Sequence, residues 1–313
     1  MTNRVLAHTG AKYPIVQAPM GWIARAQLAS AVSNAGGLGI IETSSGETEA
    51  CQAEFAKMKE MTDKPFGVNL PLLFLRNEDM LRYVCTCGVG FVTTSAGSPT
   101  AFIGPLKAAG LIVYHVVPTV AAAIGAVKAG VDGLVVEGAE GGGFKSPAEI
   151  SSLVLLQGVR AAVDVPIIAA GGICDGRGMA AAFALGAEAV QMGTRFVSAA
   201  ESPVHANYKT AIVTGGEADT VMLNRRTSPR MRALKTTASQ AMFEAGEIPK
   251  DAFKRIRNVY FDGDLDAAPA LAGQTIGLID AVKPVAQIID EMVAEFFAIT
   301  DRIGALGATR SFG

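Results

Sequence analysis

Histidine is nearly absent from this chain. Its three residues, His8, His115 and His205, stand far apart with no carboxylate cluster around them, which argues against a protein-bound transition metal. Cysteine is almost as scarce: Cys51, Cys85, Cys87 and Cys174 are scattered, and Cys85-Thr86-Cys87 lacks the spacing of a redox or zinc pair. The four read as reduced and mostly structural. Charged residues make up only 18% of the chain and their signs are mixed, with a formal net of -2, so no global field would draw nucleic acid or an anionic membrane. Small molecules are the expected ligands. No stretch runs about 18 residues without a charge or glycine break. The N-terminus, Met1 to Pro14, carries Arg4, His8 and Lys12 where a signal peptide would have its apolar core. Cytoplasmic residence is expected.

What the chain has in abundance is apolar residues, 50% of the total, with 35 glycines dispersed among them, the composition of many buried parallel strands ended by tight turns. Short β-rich segments recur at Pro14–Gln17, Gly39–Glu42, Phe66–Asn69, Gly90–Thr93, Leu111–Tyr114, Gly133–Glu137, Pro166–Ala169 and Ala189–Met192. Ala-rich stretches of helical period that end in glycine lie between most of them, such as Ala26–Ala35 and Ala121–Ala129. The segments start about 21 to 33 residues apart, the βα repeat of a closed eight-stranded barrel. A doubly wound sheet is the competing α/β architecture, but no Gly-x-Gly-x-x-Gly opens a first helix after a first strand. The expectation is one TIM (β/α)8 barrel formed by residues 1–201 and 263–313. Residues 202–262 lose the strand period and gain Arg225, Arg226, Arg230, Arg232 and Lys235, which predicts a helical cap beside the barrel mouth.

Glycine-bearing turns follow the last two segments, at Ala169-Ala170-Gly171-Gly172 and Gln191-Met192-Gly193-Thr194. Two such turns at adjacent strand ends let backbone N–H groups approach a phosphate closely. After the first segment, Gln17-Ala18-Pro19-Met20-Gly21 sets small, soft groups where a planar ring has room to lie, and Asn69 offers an amide that both donates and accepts.

Taken with Pro65-Phe-Gly-Val-Asn69, Glu140-Gly-Gly-Gly143, Met192-Gly-Thr-Arg-Phe196, Gly273-Gln274 and Gly277, these motifs resemble the nitronate monooxygenase (2-nitropropane dioxygenase-like) flavoproteins, in order and over nearly the whole chain. Relatives of that family include flavin-dependent enoyl-acyl-carrier-protein reductases, NADH:quinone reductases and acyl-CoA ring-degrading dehydrogenases. The resemblance implies FMN, with its phosphate at Gly171, Gly172, Gly193 and Thr194 and its ring near Ala18, Met20, Asn69 and Gln274. Pro19, Gly21, Glu137, Gly142, Gly143, Ala170, Gln191 and Met192 complete the expected cofactor-binding set.

One departure stands out. The family's glycine-rich loop usually reads Gly-Gly-His, its histidine the catalytic acid or base, whereas this chain reads Gly142-Gly143-Phe144-Lys145. Phenylalanine exchanges no proton. A nitronate, already an anion, needs no base, so nitronate oxidation with dioxygen survives the loss while oxidation of neutral nitroalkanes should be weak. Hydride transfer from NAD(P)H depends more on positioning, so a reductase or dehydrogenase acting on an acyl thioester or a quinone is the alternative. A flavin-binding protein without turnover is the third reading. Replacement proton donors to weigh are Lys145 beside the vacated position, His115, His205, and Glu140, which is equally suited to hydrogen-bonding its own backbone. The arginines at 225, 226 and 230 are candidates for gripping the diphosphate of coenzyme A or a dinucleotide. Thr214-Gly-Gly-Glu217 reads as a flexible turn, and oligomeric state is left open.

Overall fold

The structure, a computed structural model, describes residues 2–74 and 79–309. Its strands are β1 (Ile15–Gln17), β2 (Gly39–Ile41), β3 (Phe66–Pro71), β4 (Phe91–Ser95), β5 (Ile112–Val117), β6 (Gly133–Glu137), β7 (Gly143–Lys145), β8 (Ile167–Ala170), β9 (Ala189–Met192), β10 (Thr220–Leu223) and β11 (Arg230–Leu234). Eight of them form one parallel sheet in the order β1-β9-β8-β6-β5-β4-β3-β2. The two edges meet through a parallel bridge between Val16 and Leu38. Gln17 N donates to Leu38 O at 3.0 Å and Leu38 N to Ile15 O at 2.8 Å, which closes the sheet into a TIM barrel. All eight segments expected from sequence are barrel strands. They were legible because strands buried on both faces are apolar throughout and need no alternation to be seen.

Within each strand the side chains still divide. Val16, Ile40, Phe91, Tyr114, Val135, Ile168, Ala170 and Ala189 pack together inside the barrel. Their neighbours in sequence, among them Ile15, Ile41, Val92, Val113, Leu134, Ala169 and Val190, pack outward against the helices. Those helices are started and stopped by local chemistry. Thr119 accepts from Ala122 N at 3.1 Å to open the helix Val120–Ala129, and Gly130 ends it in the left-handed region. Asp175 accepts from Gly178 N at 2.8 Å to open the helix Gly176–Ala184. The last helix, Val285–Thr309, lies against Gly176–Ala184 and Ala26–Asn34 and fills the outer ring between them.

The floor of the barrel is a short helix, Arg4–Thr9. Val5 enters the interior cluster. Arg4 Nε and backbone N each reach the carboxylate of Glu188, just before β9, at 2.9 Å. His8 Nδ1 lies 3.0 Å from the Tyr114 hydroxyl. The strands' C-terminal ends are therefore the open side, where the remaining insertions gather.

Residues 202–262 correct one expectation. Helices Ala206–Thr214 and Thr237–Ala245 are present, but the arginine-rich stretch between them is a β-hairpin, β10 paired antiparallel with β11, with β7 added along the other edge of β11. The reason is an alternation of period two. Met231 and Ala233 face Val221 and Leu223 in a small core covered by Met242, Phe243, Ile248, Phe253 and Leu271, while Arg230 and Arg232 point the other way. Among the described residues no helix is long and apolar enough to cross a membrane.

Candidate functional site

Three strand ends converge at the open side. A Cβ built on Gly193, just after β9, would stand 3.6 Å from Ala18 Cβ and 3.7 Å from Met20 Sδ, so the turns after β1 and β9 touch. Ala18 N donates to Met192 O at 2.9 Å and holds them in register. After β8, Gly171 and Gly172 take successive left-handed conformations, φ 88° and 75°. A side chain on Gly171 would lie 2.9 Å from Gly138 O, so only glycine lets this turn lie on the loop that leaves β6. Among the described residues, the amides of Gly171, Gly172, Gly193 and Thr194 donate to no backbone carbonyl. Four outward N–H groups on adjacent strand ends suit the oxygens of a phosphate.

The polar groups beside this cradle are prepared for a ligand. Gln191 alternates with the outward Val190 and so faces the interior; it is 6% exposed, and its carboxamide oxygen is buried with no partner among the described residues. A buried acceptor left unmet costs about 1–3 kcal/mol, so the position favours a molecule that brings an N–H. Asn69, at the end of β3, is pre-oriented: its Oδ1 accepts from Thr93 Oγ1 at 3.0 Å and its Nδ2 donates to Ser95 Oγ at 3.3 Å. An FMN-like group with a phosphate at one end and a ring carrying donors and acceptors at the other fits this donor set.

The glycine loop is packed backbone to backbone against the segment 271–274. A Cβ on Gly142 would sit 2.7 Å from the Ala272 carbonyl carbon, and one on Gly273 2.7 Å from Glu140 O. Gln274 N donates to Glu140 O at 2.9 Å, and Gly273 N to Thr194 Oγ1 at 3.0 Å. Loop, C-terminal segment and β9 turn are thereby one unit, although the Gln274 side chain itself is exposed.

A profile of the family described as nitronate monooxygenase matches residues 3–295. The chain belongs to the nitronate monooxygenase family. It is an oxidoreductase fold with close company: the FabK structure from Thermotoga maritima is 38% identical and covers 97% of this chain and 99% of its own, with a TM-score of 0.92. A (3aS,4S,5R,7aS)-5-hydroxy-7a-methyl-1-oxo-octahydro-1H-indene-4-carboxyl-CoA dehydrogenase of Rhodococcus jostii (strain RHA1) is 31% identical over 96% of this chain and 97% of its own. A nitronate monooxygenase of Pseudomonas aeruginosa (strain PAO1) is 34% identical over 68% of this chain and 74% of its own.

In this member of the nitronate monooxygenase family, each group considered for proton transfer has another occupation. Phe144, at the position where the family's histidine was expected, lies on β7 opposite Met231, is 46% exposed and stacks on Phe253 at 6.2 Å. Lys145 is not a solvated loop lysine. Its Nζ is buried and donates to Glu137 Oε1 at 2.7 Å, Gly142 O at 2.9 Å and Phe144 O at 3.0 Å, so all three of its N–H groups tie down the loop. Glu137 is accordingly that lysine's counterion. Glu140 accepts from Ser152 N and Ser152 Oγ, both at 2.9 Å, and anchors the start of the helix Ser152–Ala162. His205 caps the helix Ala206–Thr214 by accepting from Asn207 N at 3.1 Å. His115 lies inside β5 on the outward side with Val113 and Val117, its Nδ1 2.8 Å from Thr94 Oγ1, and burial pushes its pKa down to about 4.

The arginines likewise separate. Arg230 pairs with Glu149. Arg232 donates to Ala139 O at 2.9 Å and to Thr220 Oγ1 at 3.2 Å, pinning the hairpin to the glycine loop, and burial lowers its pKa. Arg225 and Arg226 stay exposed at the hairpin turn, Arg225 5.4 Å from the Phe243 ring centre. Sequence reasoning missed a second polar centre at the mouth. Glu42, fully buried at the end of β2, accepts from Trp22 N at 3.0 Å, Arg25 Nε at 2.9 Å, Ser44 Oγ at 2.9 Å and Ser45 N at 3.0 Å. An acidic residue closing an apolar strand segment was the available signal.

Proposed function

We propose that this protein is an FMN-dependent oxidoreductase that oxidises a small nitronate with dioxygen. The observation that carries the reading is the occupation of each proton-transfer group considered: Lys145 by three acceptors, Glu140 by Ser152, His205 by its helix cap and His115 by the outer layer, with Phe144 at the loop. With those groups engaged, the described residues favour a substrate that arrives deprotonated. When bound, FMN supplies two-electron oxidation and reaction with dioxygen. The amides of Gly171, Gly172, Gly193 and Thr194 would hold its phosphate. Ala18, Pro19, Met20 and Gly21 would pack along the ring, and the Asn69 and Gln191 carboxamides would meet its polar edge. Asn69 is kept from rotating by Thr93, and the Lys145–Glu137 pair ties the glycine loop to the end of β6.

The test is oxygen consumption by the FMN-loaded protein. Turnover of propyl-2-nitronate with little on neutral 2-nitropropane supports the proposal, and no turnover of the nitronate overturns it. Phe144→His should then raise the rate on the neutral nitroalkane on the order of a hundredfold, the usual yield of a positioned base.

A second reading is favoured by a separate feature, the exposed Phe144–Phe253 shelf within the same sheet unit as Arg225 and Arg226. An apolar surface in the same unit as exposed guanidinium groups suits an acyl thioester whose nucleotide end carries phosphates. NAD(P)H-dependent reduction or dehydrogenation of such a thioester, or of a quinone, is then the activity. Anaerobic bleaching of the flavin bands by NADH or NADPH supports it. Neither bleaching nor nitronate turnover leaves a flavin-binding protein without catalysis.

A further inference from the structure

Trp22 is the chain's sole tryptophan. It occupies the turn that follows β1 with φ 60°, a left-handed conformation that is a genuine outlier for a bulky side chain. The turn is over-determined on both sides. Glu42 Oε1 accepts from Trp22 N at 3.0 Å, and the same carboxylate is itself fixed by Arg25, Ser44 and Ser45. Ile23 N and Ala24 N both turn back onto Met20 O, at 3.0 and 2.8 Å. Strain held this firmly at a mouth loop marks a side chain whose placement matters.

The placement has a chemical signature. The indole Nε1–H is buried and has no acceptor among the described residues. Two residues earlier in the same turn, the Met20 sulfur borders Gly193 of the cofactor cradle. Indole is a donor only, so the partner this group calls for is an acceptor. We infer that Trp22 is a substrate-binding residue, its indole N–H donating a hydrogen bond to an anionic oxygen of the substrate. This rests on the nitronate reading above for the substrate's identity: a nitronate head carries two such oxygens. Phenylalanine at this position keeps most of the ring and loses the donor.

A chain with one tryptophan gives one indole N–H resonance in a ¹⁵N-correlated spectrum, so the contact is observable without turnover. Anaerobic titration of the FMN-loaded protein with excess propyl-2-nitronate should move that resonance downfield and saturate. Trp22→Phe should raise KM for the nitronate about tenfold or more, as loss of a hydrogen bond to a charged acceptor does, with the smaller effect on kcat and an unchanged flavin spectrum and FMN affinity. A resonance that does not move, with a wild-type KM in the variant, overturns the inference. So does a variant that loses FMN affinity while the wild-type resonance ignores the nitronate, since the N–H then serves the cofactor. If the wild type binds the nitronate with the resonance shift but consumes no oxygen, the contact stands and the monooxygenase reading falls. Should Trp22→Phe fail to fold, the wild-type titration decides alone.

Discussion

At the scale of single residues, burial determines what each polar group can do. His115 holds a proton less readily folded, with a pKa near 4, than unfolded, where histidine sits near 6.5. Between those values the unfolded chain takes up more protons, so His115 contributes stability that is complete above about pH 6.5 and is lost as pH falls towards 4, on the order of 3 kcal/mol in all. Urea midpoints at pH 7 and 4.5 should differ less in His115→Gln than in the wild type. Lys145→Met strands the Glu137 carboxylate and two carbonyls. Because the Glu137 side chain keeps 28% of its exposure, the cost should be about 2 kcal/mol, below the range for a fully buried pair. A drop of several degrees in thermal midpoint checks this, with Glu137→Gln recovering part of it in the double variant. The cradle glycines were legible in sequence because glycine in pairs after an apolar segment has few other uses. The fate of His115 was not, because a one-residue change of strand phase decides between lumen and helix layer, and that of Lys145 and Glu140 was not, because their partners Glu137 and Ser152 lie 8 and 12 residues away and meet them only in the folded loop.

At the scale of elements, the eight barrel strands announced themselves and the hairpin did not. β10 and β11 are mostly buried, but β11 alternates Arg230-Met231-Arg232-Ala233, a pattern dominated to the eye by its charges. β7 is three residues long and begins with a glycine, so it read as part of the glycine-rich loop. Arg232 joins the two, and Arg232→Met should loosen both at once. Amide hydrogen exchange in residues 143–145 and 220–234 should accelerate together by an order of magnitude, while β8 and β9 keep wild-type protection. Acceleration in one strand alone would mean that the ladder between β7 and β11 is held by other contacts. Gly142→Ala, by forcing the chain away from Ala272, should weaken FMN binding at least tenfold without unfolding the barrel, read as flavin release on dilution.

At the scale of the whole molecule, the barrel is closed below and open above. The floor helix Arg4–Thr9 contributes Val5 to the interior cluster and clamps Glu188. Removing residues 2–10 should lower the thermal midpoint by more than 5 degrees, roughly the loss of one buried aliphatic side chain and its clamp. It should also open the Tyr114 ring to solvent, read by near-ultraviolet absorbance. An unchanged midpoint would mean the barrel closes without its floor. The upper side is different in kind, since the glycine loop that follows β6 ends in the third strand of the hairpin's sheet. Any exchange of residues 220–234 with a relative therefore carries the edge that β7 pairs with. A hairpin graft that replaces 230–234 without rebuilding 143–145 to match should therefore lose the β7 pairing, and with it hold FMN more weakly than the parent, read as flavin release on dilution.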